Sequence, residues 1–150
     1  MRVFENIAEY QDMLGQEIGH SEWVKIDQKQ INLFAEATGD HQWIHTDPER
    51  AQKELGMPTI AHGFLTLSLL PVLGAQVSRV NSVTRVINYG ANKLRFTNMV
   101  PVDARVRGKF TLKECEPKAG GFLFTSEVVI EIENMDRPAL IAESLMLMFE

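Results

Sequence analysis

The chain has a single cysteine, Cys115, among 150 residues. That excludes an internal disulfide and agrees with a reducing compartment. No long hydrophobic run is present. The most apolar stretch, Phe64 to Val77, is broken by Thr66, Ser68, Pro71 and Gln76, so it is too short and interrupted to span a bilayer. Met1 to Asn6 lacks the apolar core of a secretory signal, so a cytoplasmic location is expected. Positive charge is scarce too. Fifteen Lys and Arg stand against 20 Asp and Glu, and the net charge of −5 argues against non-specific nucleic-acid binding. No repeat or low-complexity linker divides the chain, and its length suffices for one core, so residues 1–150 are expected to form one domain. Cys115 has no histidine near it in sequence and reads as an ordinary strand residue.

The pattern changes half-way along. Residues 4–14 read as a short amphipathic helix and Ser21 to Ile26 as a strand. Asp27 then resembles an N-cap, with Gln30 placed to complete a capping box; the helix carries Ile31, Phe34 and Ala35 and should end near Gly39. Asp47-Pro48 is a second start signal for a short helix that stops near Gly56. From His62 to about Ser78 the sequence predicts one long helix, apolar on nearly every face, which should be wrapped by other structure. After Ser82 the signals are those of strands: 83–89, 92–96, 104–115, 121–133 and 138–149, with turns at 101–103, 118–121 and 134–136. Glu127 to Glu133 alternates, as in a sheet with one wet face. The expected fold is α+β, an antiparallel meander curved around the long helix.

Chemistry concentrates between those helices. In Gly39-Asp40-His41-Gln42-Trp43-Ile44-His45 an acid and a base flank a loop leaving a helix; Ala61-His62-Gly63 then opens the apolar helix. Asp40 and His45 can exchange protons, and free amides at a helix start, that of Gly63 first, can hold a developing oxyanion. His41 is read as non-catalytic, and His62 as organising its turn by hydrogen bonding, with substrate contact as a secondary role. Gln42 and Trp43 either pack locally or shape an acyl entrance. Asn88 and Tyr89 either line a pocket or end a strand. Arg79, Arg85, Lys93, Arg95, Arg105 and Arg107 include possible phosphate contacts but read chiefly as solvated strand positions. The histidine spacing matches no common zinc set, so no metal is expected.

These residues resemble the MaoC-like dehydratases, the hot-dog-fold group that contains (R)-specific enoyl-CoA hydratases. The resemblance is carried by Gly39 to His45, Ile60-Ala61-His62-Gly63-Phe64-Leu65, and Arg95-Phe96-Thr97-Asn98-Met99-Val100-Pro101-Val102, and runs from about residue 20 to the end. Gln42 and Trp43 depart from the usual Asn-Pro of the signature and are similar to the nodulation-protein-N-like branch. The resemblance implies a hot-dog sheet around a central helix and reversible hydration of a trans-2-enoyl-CoA to a (3R)-3-hydroxyacyl-CoA. It further implies Asp40 and His45 as the catalytic pair, a homodimer, and no cofactor beyond the coenzyme A of the acyl thioester substrate. A thioesterase on the same fold and a non-catalytic acyl-thioester-binding protein remain the alternatives, and coenzyme A and acyl carrier protein remain alternative carriers.

Overall fold

Local signals set the ends of most elements in the computed structural model, which describes all 150 residues. In chain order these are β1 (Arg2–Phe4), α1 (Ile7–Gln11), β2 (Glu17–His20), β3 (Val24–Lys25), α2 (Gln28–Thr38), α3 (Trp43–Thr46), α4 (Pro48–Leu55), α5 (Gly63–Ser68) and α6 (Leu70–Val77). There follow β4 (Ser78–Val80), β5 (Arg85–Phe96), β6 (Arg105–Lys118), β7 (Gly121–Ile132) and β8 (Leu140–Phe149). No helix is long and apolar enough to cross a membrane.

The main sheet is antiparallel, in the order β2-β6-β7-β8-β5, with β3 also paired to β6; β1 and β4 form a small parallel pair. The hairpin joining β6 to β7 turns on Ala119 and Gly120, both at positive φ, as a two-residue turn of the right twist requires. Burial alternates along β7, so one face of the sheet meets the helices. The meander expectation holds for β6, β7 and β8 only. β5 crosses to the free side of β8, where it is one strand with two register shifts rather than two separate segments. It forms an open edge.

Three helical and strand expectations change. The first helix is confined to Ile7–Gln11, capped by the Asn6 side chain, with β1 before it. The Ser21–Ile26 strand is instead a broken strip, β2 and β3, along β6; between them Ser21 exchanges bonds with Gly108 through its amide and hydroxyl, both at 2.9 Å. The long helix is two helices meeting at Leu69. Pro71 has no N–H to offer the Leu67 carbonyl, and the Leu69 amide bonds to Thr66 instead. Leu65, Leu69, Leu73 and Val77, four apart, make one buried stripe against the sheet. The opposite side is open, with Phe64 64% and Val72 50% exposed, so the chain wraps only one face of an apolar helix pair.

Candidate active site

The site starts from two helix ends. Asp27 caps α2, its carboxylate accepting the Gln30 amide at 2.8 Å, and Gly39 ends it in the left-handed conformation, its amide donating to Ala35. Glycine suits that conformation because it has no Cβ. The chain then turns out through Asp40 into α3, a single turn that carries His45. Asp47 caps α4, accepting from the Arg50 amide at 3.0 Å, with Pro48 at the first helical position. The extended segment after α4 returns beneath α3. There the Ile60 amide bonds to Ile44, and the Ala61 amide to Val100.

This return fixes His45. Its Nδ1 lies 2.7 Å from the Ile60 carbonyl. A carbonyl only accepts, so Nδ1 carries the proton and Nε2 presents a lone pair. The Gln28 side chain holds the His45 carbonyl at 2.7 Å and is itself bonded by the Thr59 hydroxyl. Burial holds the His45 imidazole below the ordinary histidine pKa of 6.5. The Ile60 bond opposes that shift, His62 adds to it, and Asp40 opposes it. The lowering favours the neutral ring, the form that can accept a proton.

His62 joins this pair. Only 2% exposed, it puts Nε2 2.9 Å from the Asp40 carbonyl and 4.0 Å from an Asp40 carboxylate oxygen. Its ring stacks on His45, centroids 3.9 Å apart at 25°, with Phe34 5.0 Å away. Since Nε2 must donate to the carbonyl, Nδ1 is an acceptor, and it is buried without a hydrogen-bond partner. Ligand-capable atoms of Asp40, His45 and His62 all lie within 4.8 Å of one another. The pairing of Asp40 with His45 was expected from the motif; the stacking of His62 on His45 was not. Two of the imidazole nitrogens are already committed to the carbonyls of Ile60 and Asp40.

Gly63 is the first residue of α5, and the first amide taken up inside the helix is that of Thr66, bonded to His62 at 3.1 Å. The amides ahead of it are the helix's unsatisfied donors. A Cβ on Gly63 would sit 2.9 Å from the Phe96 ring, at the end of β5, and Phe96 packs edge-on against Phe64. Any side chain here would have to displace the ring of Phe96, a partner that sequence reasoning missed although Phe96 stands in one of the motifs that it quoted.

The other candidates divide. Gln42 precedes α3, where its carbonyl accepts the His45 amide at 2.9 Å, and its side chain makes no cap. Trp43 lies under the Arg50 guanidinium at 4.4 Å. His41 is exposed near Glu36, outside the cluster. Lys93, Arg105 and Arg107 are paired with Glu143, Glu133 and Glu131, as solvated strand positions are. Tyr89 is exposed and lies beneath the Lys118 ammonium, while Asn88 lines a cavity beside α6. The Cys115 thiol, pushed up by burial, receives a bond from Gln11, the behaviour of an inert strand residue.

The sequence model of the MaoC-like domain matches residues 9–132. The chain is 48% identical over 146 residues to 3-hydroxyacyl-thioester dehydratase Z of Mycobacterium tuberculosis, covering 97% of each. It is 47% identical over 140 residues to Nodulation protein N of Rhizobium leguminosarum bv. viciae, covering 91% of this chain and 87% of the relative. In fold it is similar to the R-hydratase PhaJ1 from Pseudomonas aeruginosa, with TM-score 0.75 and 23% identity over 91% of this chain and 82% of that one. It is also similar to the (R)-hydratase from A. caviae involved in PHA biosynthesis, with TM-score 0.72 and 21% identity over 89% of this chain and 94% of that one. With its hot-dog sheet and with Asp40 and His45 gathered around His62 at the start of α5, the chain belongs to the MaoC-like domain family.

Proposed function

We propose that this MaoC-like hydro-lyase reversibly adds water to a trans-2-enoyl-CoA, giving the (3R)-3-hydroxyacyl-CoA. The observation that carries the reading is the His45 tautomer: Nδ1 is locked on the Ile60 carbonyl, leaving an unprotonated Nε2 within the Asp40 cluster. In the forward step a water bound between Asp40 and His45 loses a proton to His45 Nε2 as its oxygen bonds to the β-carbon. The carbon–carbon π electrons move toward the thioester oxygen, where the Gly63 amide and the start of α5 stabilise the enolate. Asp40 orients the water and supplies or relays the proton that closes the α-carbon. His62 holds the Asp40 backbone in place. The thioester itself acidifies the α-position, so no metal or redox group is needed. The names of the relatives support the reaction class and the R configuration.

A homodimer fits the same reading. The β5 edge shows Val86, Ile87 and Tyr89 to solvent, and the uncovered side of α5 and α6 shows Phe64 and Val72. A second copy against both would satisfy an open strand edge and cover the apolar face.

The test follows the enoyl-thioester absorbance with a short and a long trans-2-enoyl-CoA, with free thiol measured in parallel. Loss of the enoyl band without thiol release, abolished by Asp40→Asn, is the expected result. Thiol release would replace the reading with a thioesterase. A folded protein that binds the thioester and turns over neither substrate would make it a binding protein.

A further inference from the structure

His45 is gripped by its ring and by its backbone. The ring meets the Ile60 carbonyl through Nδ1 at 2.7 Å, and the backbone carbonyl accepts a 2.7 Å bond from the Gln28 side-chain amide. Gln28 in turn accepts the Thr59 hydroxyl on Oε1. Thr59 and Ile60 are neighbours in the chain, so the contacts close a ring that runs from Thr59 to Gln28, to the His45 carbonyl, and back from the imidazole to Ile60. We propose that Gln28 and Thr59 are positioning residues for the reaction, setting where the His45 imidazole stands relative to Asp40. The inference rests on the hydration reading above and extends it to two residues that touch no substrate.

The shortness of α3 is the first argument. It is a single turn with no side-chain cap, and a helix of that length does not hold itself in water. The place of His45 must therefore come from outside α3. Gln28 supplies it from the first residue of α2, whose start Asp27 fixes. Ile60 supplies it from the segment that follows α4.

The second is the chemistry of the amide. A glutamine side chain has a donating end and an accepting end, and the His45 carbonyl can meet only the first. The Thr59 hydroxyl, donating to Oε1, selects that orientation; the Asn32 Oδ1, which accepts from Gln28 Nε2 at 2.9 Å, agrees with it. Thr59 is fully buried, and its own carbonyl accepts the Val102 amide at 2.8 Å, so the hydroxyl is anchored from the connection between β5 and β6. Without that hydroxyl the amide is free to turn over and set oxygen against oxygen at His45.

The third is sensitivity. A misplacement of 1 Å in a catalytic group costs about a hundredfold. The imidazole hangs from the residue whose carbonyl Gln28 holds, and a slip there also loosens the Ile60 bond that selects the tautomer. The titratable groups that face the ring are Asp40 and His62. The bonds of His62 and Asp40 to each other do not pass through Gln28 or Thr59, so the grip can be released with the acid and its partner in place.

The experiment compares the wild type, Thr59→Val, Gln28→Leu and Thr59→Ser, with crotonyl-CoA and trans-2-dodecenoyl-CoA as substrates, melting curves, and nitrogen NMR of the imidazoles. Thr59→Val keeps the shape and removes the hydroxyl; Thr59→Ser keeps the hydroxyl. The expected result is a loss of about ten- to a hundredfold in kcat for Thr59→Val and Gln28→Leu, with KM within about threefold of wild type, and recovery to within about threefold of the wild-type kcat in Thr59→Ser. In the two impaired variants the acid limb of kcat/KM should move up toward 6.5 as the loosened ring meets water. The Nδ1-protonated ring of the wild type should give way to a mixture of tautomers. Wild-type rates in both impaired variants, a loss of rate with tautomer and acid limb unchanged, or no recovery in Thr59→Ser overturns the proposal. A wild type that hydrates neither substrate removes the hydratase reading; the tautomer then decides the grip by itself, sustained if Thr59→Val changes it and overturned if not.

Discussion

Gly63→Ala is the substitution whose outcome the geometry constrains most tightly. The new methyl would lie 2.9 Å from Phe96, 0.5 Å inside the 3.4 Å at which ordinary contact begins. Phe96 ends β5 and is partly exposed, so its ring can turn aside at about 1 kcal/mol, the cost of leaving a rotamer minimum. Alanine recovers up to about the same amount through helix propensity. Thermal stability should therefore change little. Activity should not follow it, because the same half-ångström can instead tilt the α5 start away from the thioester oxygen. A 1 Å misplacement costs about a hundredfold, so half of that is about tenfold in kcat/KM. If Phe96 transmits the damage, Gly63→Ala with Phe96→Ala should return to the rate of Phe96→Ala alone. The assay is kcat/KM for trans-2-dodecenoyl-CoA in all four members of the cycle, with melting curves beside it. A double variant as impaired as Gly63→Ala would refute the reasoning and make the methyl an obstacle to the thioester itself.

Asp40→Asn and His45→Ala should each keep the fold and lower kcat at least about a hundredfold, and the double variant should lose less than the product, because the two act as a unit; fully multiplicative losses in steady-state kinetics would separate them. The acid limb of kcat/KM should titrate below the ordinary histidine value of 6.5, since the base works when neutral and burial lowers its pKa. The sign for stability is the same: between the two pKa values the unfolded chain binds more protons at this residue, so its contribution is lost as pH falls from 6.5 through the folded value, which chemical denaturation across that window would read. His62→Leu should lower kcat by about three- to tenfold, the worth of one hydrogen bond to Asp40, and His62→Gln, which can keep a donor there, should restore part of it; equal rates in the two variants would deny the bond a role. Chelation should leave hydration unchanged, and a loss restored by one divalent metal would show that the cluster of Asp40, His45 and His62 holds an ion in the working enzyme.

Some of the site was readable residue by residue. Asp27, Gly39, Asp47, Pro48 and Gly56 announced their helix ends because caps and left-handed turns act within a few residues of themselves. The same holds for the Ala119-Gly120 hairpin. Asp40, His45 and Gly63 were named from short motifs. The break at Leu69 had its cause in view, Pro71, but the unbroken run of apolar residues around it outweighed that one signal. His62 read as a turn organiser, and its bond to Asp40 agrees with that. Its stacking on His45 was not legible, because it depends on how the chain returns after α4.

By itself the sequence determined the helical first half, the strand-rich second half and the helix ends, all consequences of local dihedral preference, hydrogen bonding and hydrophobic spacing, and it named Asp40, His45 and Gly63 as the candidates of the site. Only the tertiary structure decided that β5 lies outside β8, that the Ile60 carbonyl selects the His45 tautomer, that Phe96 fills the space beside Gly63, and that Thr59 and Gln28 meet at the His45 carbonyl. Each of these joins groups separated by many residues. Such contacts depend on the path of the whole chain, and no local preference encodes which distant side chain arrives or how much room it leaves.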